Sequence, residues 1–76
     1  MTMSKPYVVG IDIGGTNTVF GIVDARGTII ASGSIKTNKF NEVEDYVNEL
    51  HTELFRLLEQ NNATDKIMGI GVRSEE

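Results

Sequence analysis

A carboxylate, two glycines and two small polar side chains stand in one run, Asp12-Ile13-Gly14-Gly15-Thr16-Asn17, between two apolar stretches. Paired glycines let a backbone come close to a ligand, and their N–H groups can converge on an anion. Thr16 and Asn17 add side-chain donors without steric bulk. Asp12 is placed to hold a water of a hydrated Mg²⁺ beside phosphate oxygens. A plain hairpin turn would also use Gly-Gly-Thr-Asn, with Asp12 capping it. Against the plain turn stands Asp12 itself, because a carboxylate inside an apolar strand is costly unless something compensates it.

Other chemistry is thin. His51, mid-helix and with no cysteine or second histidine, reads as a surface or boundary histidine. Arg26 and Lys36 read as solvated charges, and no nucleophile–base pair can be assembled. A Walker-type loop needs a lysine and a helix straight after the glycines, whereas a strand pattern follows here. Gly69-Ile70-Gly71 begins a dinucleotide fingerprint, but Ser74 stands where the last glycine belongs. Those glycines are read as close-packing positions. Tyr7, Phe20, Phe40, Tyr46 and Phe55 are too dispersed for a stacking platform and are assigned to packing.

The elements that must hold the Asp12–Asn17 run follow from periodicity. Residues 1–6 read as a frayed leader that Pro6 ends. Residues 7–13 form a β-rich run, apolar on both faces except at Asp12, which suits a central buried strand. Residues 18–24 form a second strand, and Gly27 is placed to close a bulged hairpin. A third strand, residues 28–37, alternates enough to be partly exposed, and together the three make an antiparallel meander. The period then changes: Val43, Val47, Leu50, Leu54, Leu57 and Leu58 predict a helix over 42–60 that stops at Asn61-Asn62. Asn41 with Glu44 resembles a capping box. Residues 67–72 form an apolar fourth strand, buried if the fold is complete. Reached by a helical crossover, it should run parallel to the first strand.

Composition narrows the classes. The chain has 76 residues, no cysteine and one histidine, which excludes a disulfide scaffold, a zinc finger and a c-type haem protein. With 39% hydrophobic and 24% charged residues it reads as globular. A net charge of −4 with scattered basic residues argues against nucleic acid as a partner. No apolar run approaches the roughly 18–20 residues of a membrane span, and no signal-peptide pattern opens the chain, so a cytoplasmic location is expected. Asn62-Ala63-Thr64 matches a glycosylation acceptor and is read as chance.

The segment Val9-Gly10-Ile11-Asp12-Ile13-Gly14-Gly15-Thr16-Asn17-Thr18, with Gly21-Ile22-Val23-Asp24, resembles the opening of a ROK-family sugar kinase of the bacterial glucokinase kind. The resemblance runs on through the third strand, the helix and Ile67-Met68-Gly69-Ile70-Gly71-Val72. It implies a partial ribonuclease H-like, actin-like ATPase fold, with residues 1–76 a single partial domain from the N-terminal lobe. It also implies ATP and Mg²⁺ as cofactors of the parent and glucose or a related hexose as its substrate. Asp12 would lie near the metal and the transferred phosphate, and Gly14, Gly15, Thr16 and Asn17 would form the first phosphate loop. The family's catalytic Asp, Glu-x-Gly-His sugar contacts, cysteine-rich zinc motif and adenosine loops have no counterpart here. Arg73-Ser74-Glu75-Glu76 follows the last strand where the family has a small-residue loop. The expectation is therefore a chain inactive alone and without tight cofactor binding. The family's repressor branch is disfavoured because no helix-turn-helix precedes the motif. With strand order three, two, one, four, the helix would cover one face and leave Phe20, Ile22 and their neighbours bare, favouring a homo-oligomer. A self-associating module and a free-standing phosphate binder are the alternatives.

Overall fold

The computed structural model describes residues 6–74. The expected leader therefore lies, Pro6 apart, outside the described residues, as do residues 75–76. The chain is α/β, with a four-stranded mixed sheet and one long helix. Strands β1 (Tyr7–Ile13), β2 (Asn17–Val23) and β3 (Ile29–Lys36) form the antiparallel meander. Helix α1 (Val43–Gln60) crosses over to β4 (Ile67–Ser74), which lies parallel to β1, and the strand order is β3-β2-β1-β4.

Local chemistry accounts for the connections. Asp24 accepts hydrogen bonds from the Arg26 and Thr28 amides at 2.9 Å each, and Gly27, at φ 85°, closes the β2–β3 turn in the left-handed region. At the helix C-terminus the Ala63 amide donates to the Leu58 carbonyl and the Asn62 amide to that of Glu59. Asn62, at φ 54°, supplies the left-handed residue of this Schellman-type stop. The helix start differs from expectation. Glu42 is the N-cap and no side chain caps it, so the Asn41–Glu44 capping box does not form. The helix begins one residue later than that pairing requires.

Alternation sorts the strands. Thr18, Phe20 and Ile22 face α1 together with Val9 and Ile35, and Leu54, Leu58 and Ala63 complete the core. The Phe20 ring packs against Gly33, where a Cβ would come within 2.9 Å of it. The expectation that Phe20 and Ile22 lie on the bare face is thus corrected: they are 3% and 0% exposed. A two-residue period must put the bulky set on one side and Val19, Gly21 and Val23 on the other, and the helix takes the bulky side.

Two further expectations fail for one reason. β1 has only Val9 fully buried, and β4 is exposed from Met68 to Ser74 instead of buried. Helix α1 sits over β2 and β3 and reaches neither β1 nor β4 in backbone proximity, so the core covers Val9 and partly Tyr7, Ile11 and Ile67, and nothing among the described residues covers β4 from Met68 on. On the helix itself, Tyr46, Leu50, Leu54, Leu57 and Leu58 face the sheet, while Val43 and Val47 stay exposed at the overhanging start. Among the described residues no helix is long and apolar enough to cross a membrane.

Candidate functional site

The Asp12–Asn17 run lies at one end of the sheet. Because β1 and β4 are parallel, both bring their carboxyl ends to this point, Asp12 beside Arg73 and Ile13 beside Ser74. Ligands of open α/β sheets sit outside such strand ends. Residues 14–16 make the connection to β2. The Gly14 amide donates to the Asn17 carbonyl at 2.9 Å, closing the turn, and the Thr16 carbonyl accepts from the Thr37 amide at 2.8 Å. The Gly15 and Thr16 amides have no hydrogen-bond partner among the described residues, and Gly15, Thr16 and Asn17 are all exposed. Asp12, Gly14, Gly15, Thr16, Asn17 and Val19 line one open hollow of about 330 Å³. The five residues singled out in the sequence therefore meet in space.

Gly15 is not explained by the turn. Neither Gly14 nor Gly15 takes a positive φ, and a Cβ on Gly15 would meet nothing within 4 Å. Any residue could stand at position 15 as far as this chain's own packing is concerned.

Asp12 is not buried in a dry strand, as its apolar neighbours had implied. It lies on the sheet face away from the helix, its side chain 37% exposed, and Arg73 compensates its charge. The Arg73 Nη2 donates to Asp12 Oδ2 at 2.9 Å, with Nε 3.5 Å from Oδ1. That hydrogen bond holds the Asp12 carboxyl below its usual range; partial desolvation opposes the shift and the guanidinium charge adds to it. Asp12 stays ionised at neutral pH.

A second group of residues anchors the turn. The wholly buried Thr18 hydroxyl is 2.7 Å from the Thr37 hydroxyl and 2.7 Å from the Tyr46 hydroxyl. This small network ties the start of β2 to the end of β3 and to the first turn of α1. Sequence reasoning missed it, taking Thr18 for a strand former and Tyr46 for packing. The signal was present: Thr18 shares the inward face with Phe20 and Ile22, and a hydroxyl there requires a partner. Arg73 was also missed, being read as part of a divergent tail. His51 is exposed and rests on the Phe55 ring, 4.5 Å between centroids, and Arg26 and Lys36 are exposed as expected.

The residues present suit an anion well and a metal ion in a limited way. Free amides with the Thr16 and Asn17 side chains fit phosphate oxygens. Among the described residues no group of three or more His, Asp or Glu side chains could enclose a metal. A lone carboxylate suits Mg²⁺ that keeps its waters and takes its other ligands from a phosphate.

The fold and the turn together define an α/β unit that presents an anion-suited glycine turn beside an ionised carboxylate. Over 19 residues, 25% of this chain and 76% of the relative's sequence, the chain is 79% identical to a glucomannokinase from Segatella bryantii. The chain belongs to the family of that sugar kinase. No family model matches it.

Proposed function

We propose that these 76 residues are the phosphate-loop portion of an ATP-dependent hexose kinase of the ROK family, with the partial ribonuclease H-like, actin-like ATPase fold of its N-terminal lobe. One observation carries the reading: Gly15 is required by neither backbone conformation nor internal packing, yet its free amide and that of Thr16 stand beside an ionised carboxylate. Glycine at such a place serves close approach of something outside the chain. The likeness to a sugar kinase makes ATP phosphates the natural candidate and a hexose such as glucose the acceptor. The cytoplasm, where both are plentiful, is the matching location.

In this reading the Gly15 and Thr16 amides and the Thr16 and Asn17 side chains hold phosphate oxygens, and Asp12 orients water around the cation. Mg²⁺, when bound, neutralises charge on the transferred phosphoryl group. The Thr18–Thr37–Tyr46 network keeps the turn in place. A base for the sugar hydroxyl, a sugar site and an adenosine site are to be supplied by other residues of the parent enzyme. The test is the ³¹P spectrum of ATP·Mg²⁺ with the protein added. Broadening of the phosphate lines, weakened in Asn17→Ala, is expected, together with no glucose phosphorylation above an Asp12→Ala control. Unchanged lines, or turnover above that control, overturns the proposal.

A second reading, a self-associating module, is favoured by the uncovered half of the sheet. Met68, Ile70 and Val72 are each 61% exposed on the edge strand β4. An apolar edge without cover invites pairing between copies. Light scattering over a wide concentration range should show a dimer or larger species, and a monomer throughout would dispose of this reading.

A further inference from the structure

At the glycine-turn hollow the charges of Asp12 and Arg73 offset each other, in a chain of net charge −4. A further positive charge is needed there to draw in a multiply charged anion. The end of β3 places one. Lys36 is the cross-strand partner of Asn17, and the Thr37 amide beside it donates to the Thr16 carbonyl at 2.8 Å. Thr18 and Ile35, the next pair along, are buried on the α1 side. Alternation therefore turns Asn17 and Lys36 together to the opposite face, the side of Asp12 and Val19. Directly opposed residues of an antiparallel pair have Cβ atoms about 4.5–5.5 Å apart, a span the lysine stem covers. Lys36 is exposed and its ammonium has no partner among the described residues. The other cations are engaged or distant. Lys39 pairs with Glu49 at 3.9 Å, Arg56 with Glu53 and Arg73 with Asp12. Arg26 and Lys66 stand at the far end of the sheet, in the β2–β3 turn and just before β4.

We propose that Lys36 is the charge-supplying residue of the glycine turn, its ammonium meeting the oxygens of a phosphate chain held by the Gly15 and Thr16 amides. The proposal rests on the turn being a phosphate site and names the side chain that gives it its positive charge. The bond between Thr16 and Thr37 fixes the backbone next to Lys36, so only the side chain has to move. The attraction is electrostatic, so it weakens as salt screens it.

The test titrates metal-free inorganic tripolyphosphate into the protein at low ionic strength, followed by backbone amide NMR. Shifts centred on residues 14–17 are expected in wild type. Lys36→Gln should weaken the affinity about fivefold or more, the order expected for losing one contact between unit charges at a protein surface. Lys36→Arg, which keeps the charge, should stay within about twofold of wild type. Lys39→Gln removes the same charge from a lysine engaged elsewhere and should also stay within about twofold. Added salt should weaken wild type more steeply than Lys36→Gln. Equal affinity of wild type and Lys36→Gln overturns the proposal and leaves the turn a phosphate site without this lysine. Equal weakening by Lys39→Gln also overturns it, since the effect would then be one of net charge alone. Absence of wild-type shifts at residues 14–17 overturns it too, while the phosphate reading of the turn is judged separately by the ³¹P spectrum with ATP·Mg²⁺.

Discussion

One row of side chains crosses the sheet from Ile22 through Val9 to Ile70, and its two ends have opposite fates. Ile22 and Val9 are 0% exposed and Ile70 is 61% exposed, although Ile22 and Ile70 are the same residue type on the same face. The next row repeats this, from the buried Phe20 through the half-buried Ile11 to the exposed Val72. Apolar character marks a surface that needs cover, and only the element opposite decides whether it receives it. Helix α1 covers the β2–β3 half; on the other half the core reaches Val9 and partly Ile11, and nothing among the described residues covers β4 beyond Ile67.

The comparison breaks first at its ends. Ile22→Ala should cost about 2–5 kcal/mol, comparable with the whole stability of a domain this small. Ile70→Ala should stay within about 0.5 kcal/mol, as for an exposed position. Urea unfolding of the two variants reads the difference, and similar losses would mean that β4 is covered in solution. A smaller effect is expected at the anchor of the turn. Thr18→Val strands the Thr37 and Tyr46 hydroxyls and should cost about 1–3 kcal/mol, by the same measurement.

The smallest effect belongs to the uncovered half. Arg73 depresses the Asp12 pKa, so the pair contributes stability above the unfolded carboxylate's pKa and loses it as pH falls through the lower, folded value. Melts of wild type and Arg73→Gln should therefore differ slightly above about pH 4 and converge as the carboxyl is protonated below it. In Arg73→Gln the Asp12 carboxyl carbon should titrate at a higher pH by NMR. An unmoved titration would mean that the ion pair does not persist in solution.

Most of the scaffold was legible in the sequence because its signals are local. Residues 7–13, the meander, the change of period at Val43 and the Asn61-Asn62 stop each depend on neighbours in the chain. The five residues of the turn were legible for the same reason. What was not legible depends on partners distant in sequence. The burial of β4 was expected from its apolar run, yet it turns on where α1 comes to rest. Phe20 and Ile22 were placed on the wrong face because periodicity separates two faces without saying which one a helix will choose. Arg73 reaches Asp12 across 61 positions, and Thr18 meets Tyr46 across 28, so neither contact leaves a mark at short range.

The central claim is that the glycine turn exists for a ligand and not for the fold. Gly15→Ala tests it directly, with unfolding and ATP·Mg²⁺ titration by backbone amide NMR measured on the same variant. Stability should stay within about 0.5 kcal/mol of wild type, since the added methyl meets open space. The ATP-induced shifts, centred on residues 14–17 in wild type, should shrink or vanish. Loss of stability with nucleotide shifts intact would contradict the account and return Gly15 to a purely structural role.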